Sequence, residues 1–166
     1  MVRRKNGDKS EWVELTSGTG RGEAIDYGPL ADWVGFNLRM AQAAAFQAFS
    51  RLAKEIGTRP GRFATLMLIG RNPGISQTAL SRANGRDKSS LTPVLNDLER
   101  RGLVLRRRTN ADQRAYRLSL TPAGRRLLDE LTRCARVHER NLDRIIGAKE
   151  QKAFVRVLKR IVAHAG

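Results

Sequence analysis

The side chains best suited to chemistry lie between Asp87 and Arg114. Asp87 caps a helix whose first turn is Lys88-Ser89-Ser90, setting a carboxylate, an ammonium and two hydroxyls side by side, and Thr92, Pro93, Asn96 and Arg100 follow. Leu91, Leu95 and Leu98, with Val94, recur at the three- and four-residue spacing of a helix with one buried stripe. Lys88, Ser89, Thr92, Pro93, Asn96 and Arg100 then face outward. Short hydroxyls, an amide and cations on one exposed face are groups that hydrogen-bond base edges and hold phosphates. A plain solvated helix face carries the same residue types, so the helix alone does not decide.

The next segment shifts the balance. Gly102 ends the helix, and Leu103 to Arg108 opens a hairpin whose tip runs from Thr109 to Arg114. Tyr116, Leu118 and Leu120 return with a period of two. Along the outgoing strand Arg106 and Arg108 point one way and Arg107 the other. A cation near the tip of an extended loop can enter the minor groove, where the potential is most negative. Asp112 is expected to hold a nearby guanidinium by paired hydrogen bonds and so stiffen the loop. A short helix, a turn, a longer helix and a basic hairpin make up a winged helix-turn-helix, which lays one helix in the major groove. Pro93 is the awkward residue, because it removes a backbone hydrogen bond within the helix. A small bend is expected there, with the ring turned to nucleic acid or to the preceding helix.

Other chemistries find little support. His138 and His164 have no Glu or Cys at ligand spacing, so a structural or surface role is expected and no metal site. No nucleophile–base pair or phosphate-cradling glycine loop is present, so no catalytic residue and no cofactor are assigned. Gly18-Thr19-Gly20-Arg21-Gly22 follows no strand and reads as tail. The single cysteine, Cys134, rules out an internal disulfide framework. Buried cysteines are commonly inert, which argues against redox sensing.

The elements that must position these residues follow from the rest of the chain. Residues 1–27 are polar, Gly-rich and aperiodic, and are expected to form a mobile tail. Gly28-Pro29 opens a long helix read to about Ile56, in a dimerisation region spanning 28–58. Leu30, Trp33, Val34, Asn37, Met40, Ala41, Ala44 and Ala48 share one of its faces, and Phe36, Ala43, Phe46 and Phe49 widen the apolar surface. Such a helix needs two neighbours, one of them expected to be a second subunit. Residues 59–122 are read as the winged lobe. It starts with a helix from Arg62 to Gly70, followed by Pro73-Gly74 and a one-residue bridge to the hairpin at Ile75. Ser76 then caps a short helix, Gln77 to Ala83, and Asn84-Gly85 makes the turn. Residues 123–166 supply C-terminal dimerisation helices. Thr121-Pro122 starts one that runs to about Ile146, with Leu127, Leu128, Leu131, Ala135, His138, Leu142 and Ile145 on one side, and a last helix covers Ala148 to Ala163.

Composition agrees with this reading. The chain has 166 residues, enough for one domain or one domain with a helical extension, and 40% hydrophobic content is enough for a core. Its 32 Lys and Arg against 16 Asp and Glu leave a net charge of +16. The tail is neutral, whereas residues 59–117 hold more than half of the excess. A field placed there favours a polyanion, although a solubilising surface is the plainer alternative. No apolar run is long enough to span a membrane, and the start MVRRKNGDKSEWVEL lacks a secretory segment, so a cytoplasmic protein without a membrane partner is expected.

Asp112-Gln113-Arg114-Ala115, then Leu118 and Leu120-Thr121-Pro122-Ala123-Gly124, resemble the D-x-R-[AS]…L-T-x-x-G signature of the MarR (multiple-antibiotic-resistance regulator) family of winged-helix repressors. Asp87-Lys88-Ser89-Ser90 and Leu98-Glu99-Arg100-Arg101-Gly102-Leu103-Val104 are similar to its recognition helix and exit. The likeness covers about residues 30–163. Pro93 departs from it, interrupting a helix that many members keep continuous. The resemblance implies a fold that is mainly α with a small β-hairpin wing and N- and C-terminal dimerisation helices. It also implies a homodimeric repressor on a pseudo-palindromic operator, with Lys88, Ser89, Ser90, Thr92, Pro93, Asn96, Arg106, Arg108, Asp112 and Arg114 facing double-stranded DNA and Arg114 in the minor groove. A small ligand or an oxidant would relieve repression. The stretch WVGFNLRMAQAAAFQAF is similar to regulators that respond to aromatic acyl-CoA thioesters, which would place Trp33, Phe36, Asn37, Arg39, Met40, Phe63 and Met67 around an effector. For any one of these residues alone, plain core is the better reading. The rival function is a sequence-nonspecific architectural protein that coats DNA by charge.

Overall fold

A computed structural model describes residues 25–56, 61–85, 87–108 and 116–164. They fall into two units, one ending at Ala41 and one starting at Gln42.

In the first unit, Gly28–Asp32 is a 3-10 turn, and helix α1, Val34–Leu52, starts after it and continues into the second. The single long helix expected from Gly28 is therefore interrupted at Trp33, whose backbone is extended (φ −80°, ψ 125°). The Asn37 amide donates to the Ala31 carbonyl at 2.9 Å and the Trp33 carbonyl at 3.0 Å, collecting acceptors at that break. Apolar spacing runs unbroken through Trp33, so periodicity alone could not reveal the change of backbone.

The second unit carries the rest of α1 and a 3-10 turn, Lys54–Ile56. Then come α2 (Gly61–Arg71), β1 (Ile75–Ser76), α3 (Gln77–Ala83) and α4 (Lys88–Arg100). Strands β2 (Val104–Arg108) and β3 (Tyr116–Leu120) precede the long α5 (Pro122–Ile146) and α6 (Gln151–His164). The described chain is thus mainly helical with a small antiparallel sheet, as expected. β1 pairs with β3 through two residues, Ile75 with Leu118 and Ser76 with Arg117, so the sheet has three strands in the order β1-β3-β2.

One core lies under the helix-turn-helix. Leu66 and Ile69 of α2, Leu80 of α3, Leu91, Leu95 and Leu98 of α4, Leu118 of β3 and Leu131 of α5 are fully buried together. Removing each such leucine from water stabilises the fold by about 1.5–3 kcal/mol, before the entropy of ordering the chain is set against it. Asn84, in the turn after α3, donates to the buried Thr65 hydroxyl at 2.9 Å and ties that turn to α2. The expected caps are present. Ser76 accepts from the Ala79 amide, Asp87 from the Ser90 amide, and Thr121 from the Gly124 amide.

The last helix starts later than expected. Gly147, at φ +89°, ends α5 as expected, but α6 starts only at Gln151, after a turn. On α5, Leu131 and His138 are buried, whereas Ile145 is 81% exposed even though it shares their spacing. The winged core does not extend as far as that turn of the helix.

Candidate nucleic-acid interface

Helix α4 is held at both ends and along its buried side. At its start the Asp87 carboxylate accepts from the Ser90 amide (2.7 Å) and the Ser89 hydroxyl (2.7 Å), and the Ser90 hydroxyl donates to the Asp87 carbonyl (3.2 Å). These donors, the Ser89 hydroxyl first, hold the Asp87 carboxyl below its ordinary 3.8, at about 2. The acid is therefore ionised and turned to its own helix. Both serine protons point inward, so the two oxygens offer lone pairs outward, the complement of an amino group on a base edge.

Thr92 departs from expectation. Its hydroxyl donates to the Lys88 carbonyl (2.7 Å) and accepts from the Gln77 amide of α3 (2.8 Å). A hydroxyl committed in this way holds α3 against α4, and its methyl is the better candidate for an outside contact. Pro93 sits on an exposed turn, and α4 runs through it as a single helix. Its ring takes away only the amide that would have bonded the exposed Ser89 carbonyl, so the loss falls where water can compensate. Arg100 is bound to Asp97 (2.6 Å), and Asp97 also meets Arg62 of α2 at 2.6 Å.

The hairpin alternates as its sequence suggested, with an outcome that was not foreseen. Cα pairing sets Arg106 opposite Leu118 and Arg108 opposite Tyr116, so both arginines share the face of the buried Leu118. Arg106 therefore folds against α4. It donates to the Asn96 side-chain oxygen at 2.7 Å and its Nε lies 3.2 Å from the Glu99 carboxylate, leaving its side chain 15% exposed. Arg108 lies over the Tyr116 ring, its guanidinium carbon 5.6 Å from the centroid, and donates to the Tyr116 hydroxyl. On the other face Arg107 opposes Arg117. Like charges directly across a strand pair repel, and an approaching polyanion relieves them. Period two from Val104 would have placed Arg106 against the core. Gln77, Glu99 and Arg117 gave no comparable sequence signal, because each acts through a partner far away in the chain. Asp112 and Arg114 lie outside the described residues.

The residues expected around an effector are divided between the two units. In the first unit Arg39 lies over the Phe36 ring at 5.1 Å, Tyr27 packs on Phe36 at 5.6 Å, and Trp33 is 60% exposed. Met40 is half-buried, and Asn37 is occupied at the backbone break. In the second unit Phe63 packs on Phe49 at 5.6 Å, and Met67 is half-buried. Cys134 is partly covered, its Sγ 3.5 Å from the Leu52 carbonyl. Among the described residues no group of His, Cys, Asp and Glu is arranged to hold a metal, and no helix is long and apolar enough to cross a membrane.

Comparison with known proteins decides the family. The MarR family model matches residues 59–116. A putative transcriptional regulatory protein for the hcr operon of Thauera aromatica is 35% identical over 136 residues, 81% of this chain and 82% of that protein. The chain belongs to the MarR family. Its fold is similar to that of the transcriptional repressor CouR bound to a 23-mer DNA duplex, with a TM-score of 0.78, 29% identity, and coverage of 84% of this chain and 99% of that one. CouR bound to p-coumaroyl-CoA matches with a TM-score of 0.76 and 28% identity over 85% of this chain and 99% of that one. As a MarR-family protein the chain is a ligand-responsive, DNA-binding transcriptional regulator.

Proposed function

We propose that this MarR-family protein is a homodimeric repressor that reads a pseudo-palindromic operator through α4 and leaves it on binding an aromatic acyl-CoA thioester. The observation that carries the reading is the exposed edge of α4, which presents Ser89, Ser90 and Asn96 and is tied through Asn96 to Arg106 of β2, the strand whose Arg107 opposes Arg117 of β3. Lys88, Pro93, Arg108, Asp112 and Arg114 are assigned to the same DNA contact. Residues 59–122 form the reading lobe, with dimerisation assigned to residues 28–58 and 123–166. Apolar side chains on α5 and α6 support that division. Ile145, Phe154, Val157 and Val162 are exposed in the single chain, and apolar helix faces call for a partner. The protein works where the duplex is, in the cytoplasm, and carries no catalytic role.

For the effector, the Tyr27–Phe36–Arg39 cluster in the first unit joins aromatic faces to a cation. That chemistry suits a flat aromatic acyl group with a phosphate-bearing tail. CouR, of similar fold, binds p-coumaroyl-CoA. The test is fluorescence anisotropy on duplex taken from around the encoding gene, titrated with hydroxycinnamoyl-CoA thioesters and their free acids. Thioesters are expected to release the DNA at lower concentration than the acids. Equal affinity for random duplex at matched salt would instead favour the charge-driven architectural reading suggested by the +16 net charge.

A further inference from the structure

The geometry points to Arg106 as a specificity-positioning residue, which engages the oxygen of the Asn96 amide and leaves its NH2 end, a donor, free for the base pair beneath it. This rests on the proposal that α4 reads the operator. A side-chain amide ordinarily presents either end, because rotation about its last bond exchanges oxygen and nitrogen. Here rotation is blocked. A guanidinium owns only donors, so the atom 2.7 Å from Arg106 Nη2 must be the amide oxygen. Arg106 is itself held from a second side, where Glu99, three residues along the same helix, sets its carboxylate 3.2 Å from Nε. With its side chain 15% exposed and a strand backbone behind it, the arginine has little freedom to let go.

The amide nitrogen is then the end left for an outside partner. Guanine O6 and N7, adenine N7 and thymine O4 accept from it, whereas cytosine presents only its N4 amino group in the major groove. At one strand position in each half-site the protein should therefore reject cytosine. A direct base contact by Arg106, or a phosphate contact, would leave a different pattern.

The experiment selects preferred sites from a randomised duplex library with the full-length protein, and then measures affinity for the four bases at each position. Wild type is expected to disfavour cytosine at one position by roughly tenfold, within the range of a lost base contact. Arg106→Met frees the amide to flip, and cytosine discrimination at that position is expected to fall to about twofold or less, with other positions unchanged. Arg106→Gln, a second variant with a flexible amide, should behave in the same way, and thermal melting checks that both are folded. Asn96→Ala should relax the same position, and adding Arg106→Met to it should change base preference no further. A uniform loss of affinity with the preference pattern intact, or relaxation at a different position, overturns the inference and leaves the operator reading standing. If wild type enriches no sequence at all, both fall.

Discussion

At the scale of single residues, the proposed reading edge of α4 is organised by hydrogen bonds inside the protein before any partner arrives. Asp87 shows this most clearly. Its carboxylate carries a charge that would repel phosphate, yet the Ser89 hydroxyl and the Ser90 amide turn it into the cap of its own helix. The folded-state value of about 2 lies below the ordinary 3.8, so the bound carboxylate favours the folded state. That contribution is fully present above the ordinary value and is lost as pH falls through the folded one. The difference in unfolding midpoint between wild type and Asp87→Asn should stay level above pH 3.8 and close as pH approaches about 2. A gap that persists unchanged to the bottom of that range would contradict the assignment. The cap was legible in the sequence, because an acidic residue before a leucine stripe has few other uses. The commitments of Thr92 and Arg106 were not, since each depends on a partner brought in by folding: Gln77 from another helix, and Asn96 with Glu99 across to a strand.

At the scale of elements, the joint between hairpin and long helix gives the Thr121-to-Gly124 motif its physical meaning. The Thr121 hydroxyl donates to the Gly102 carbonyl at 2.7 Å and accepts from the Gly124 amide at 2.9 Å, while the Thr121 amide donates to the Leu103 carbonyl. One threonine thus ties the exit of α4, the end of β3 and the start of α5 into a single corner. Gly124 has ordinary helical backbone, and its importance is close approach: an added Cβ would collide with the Leu103 carbonyl oxygen. Gly124→Ala is expected to destabilise the protein by roughly 1–3 kcal/mol, because backbone rather than a flexible side chain must move. Urea unfolding would check this, and an unchanged midpoint would show that the corner yields freely. Most elements could be read from the sequence, since caps, leucine stripes and strand alternation are local signals. The extended backbone at Trp33 could not, because its apolar neighbours keep helical spacing on both sides.

At the scale of the whole molecule, charge and apolar surface point to different partners. The basic excess centred on residues 59–117 draws the protein to a polyanion without choosing a sequence. Choice requires two reading edges at a spacing that matches the duplex, which the exposed apolar residues of α5 and α6 would secure by joining two copies. The decisive measurement is the stoichiometry and affinity of the protein on its selected duplex, by sedimentation, compared with the same duplex carrying one scrambled half-site. Two chains per intact duplex are expected, with affinity falling by at least about tenfold when either half is scrambled. A single chain bound per duplex, choosing its site equally well with one half destroyed, would contradict the account.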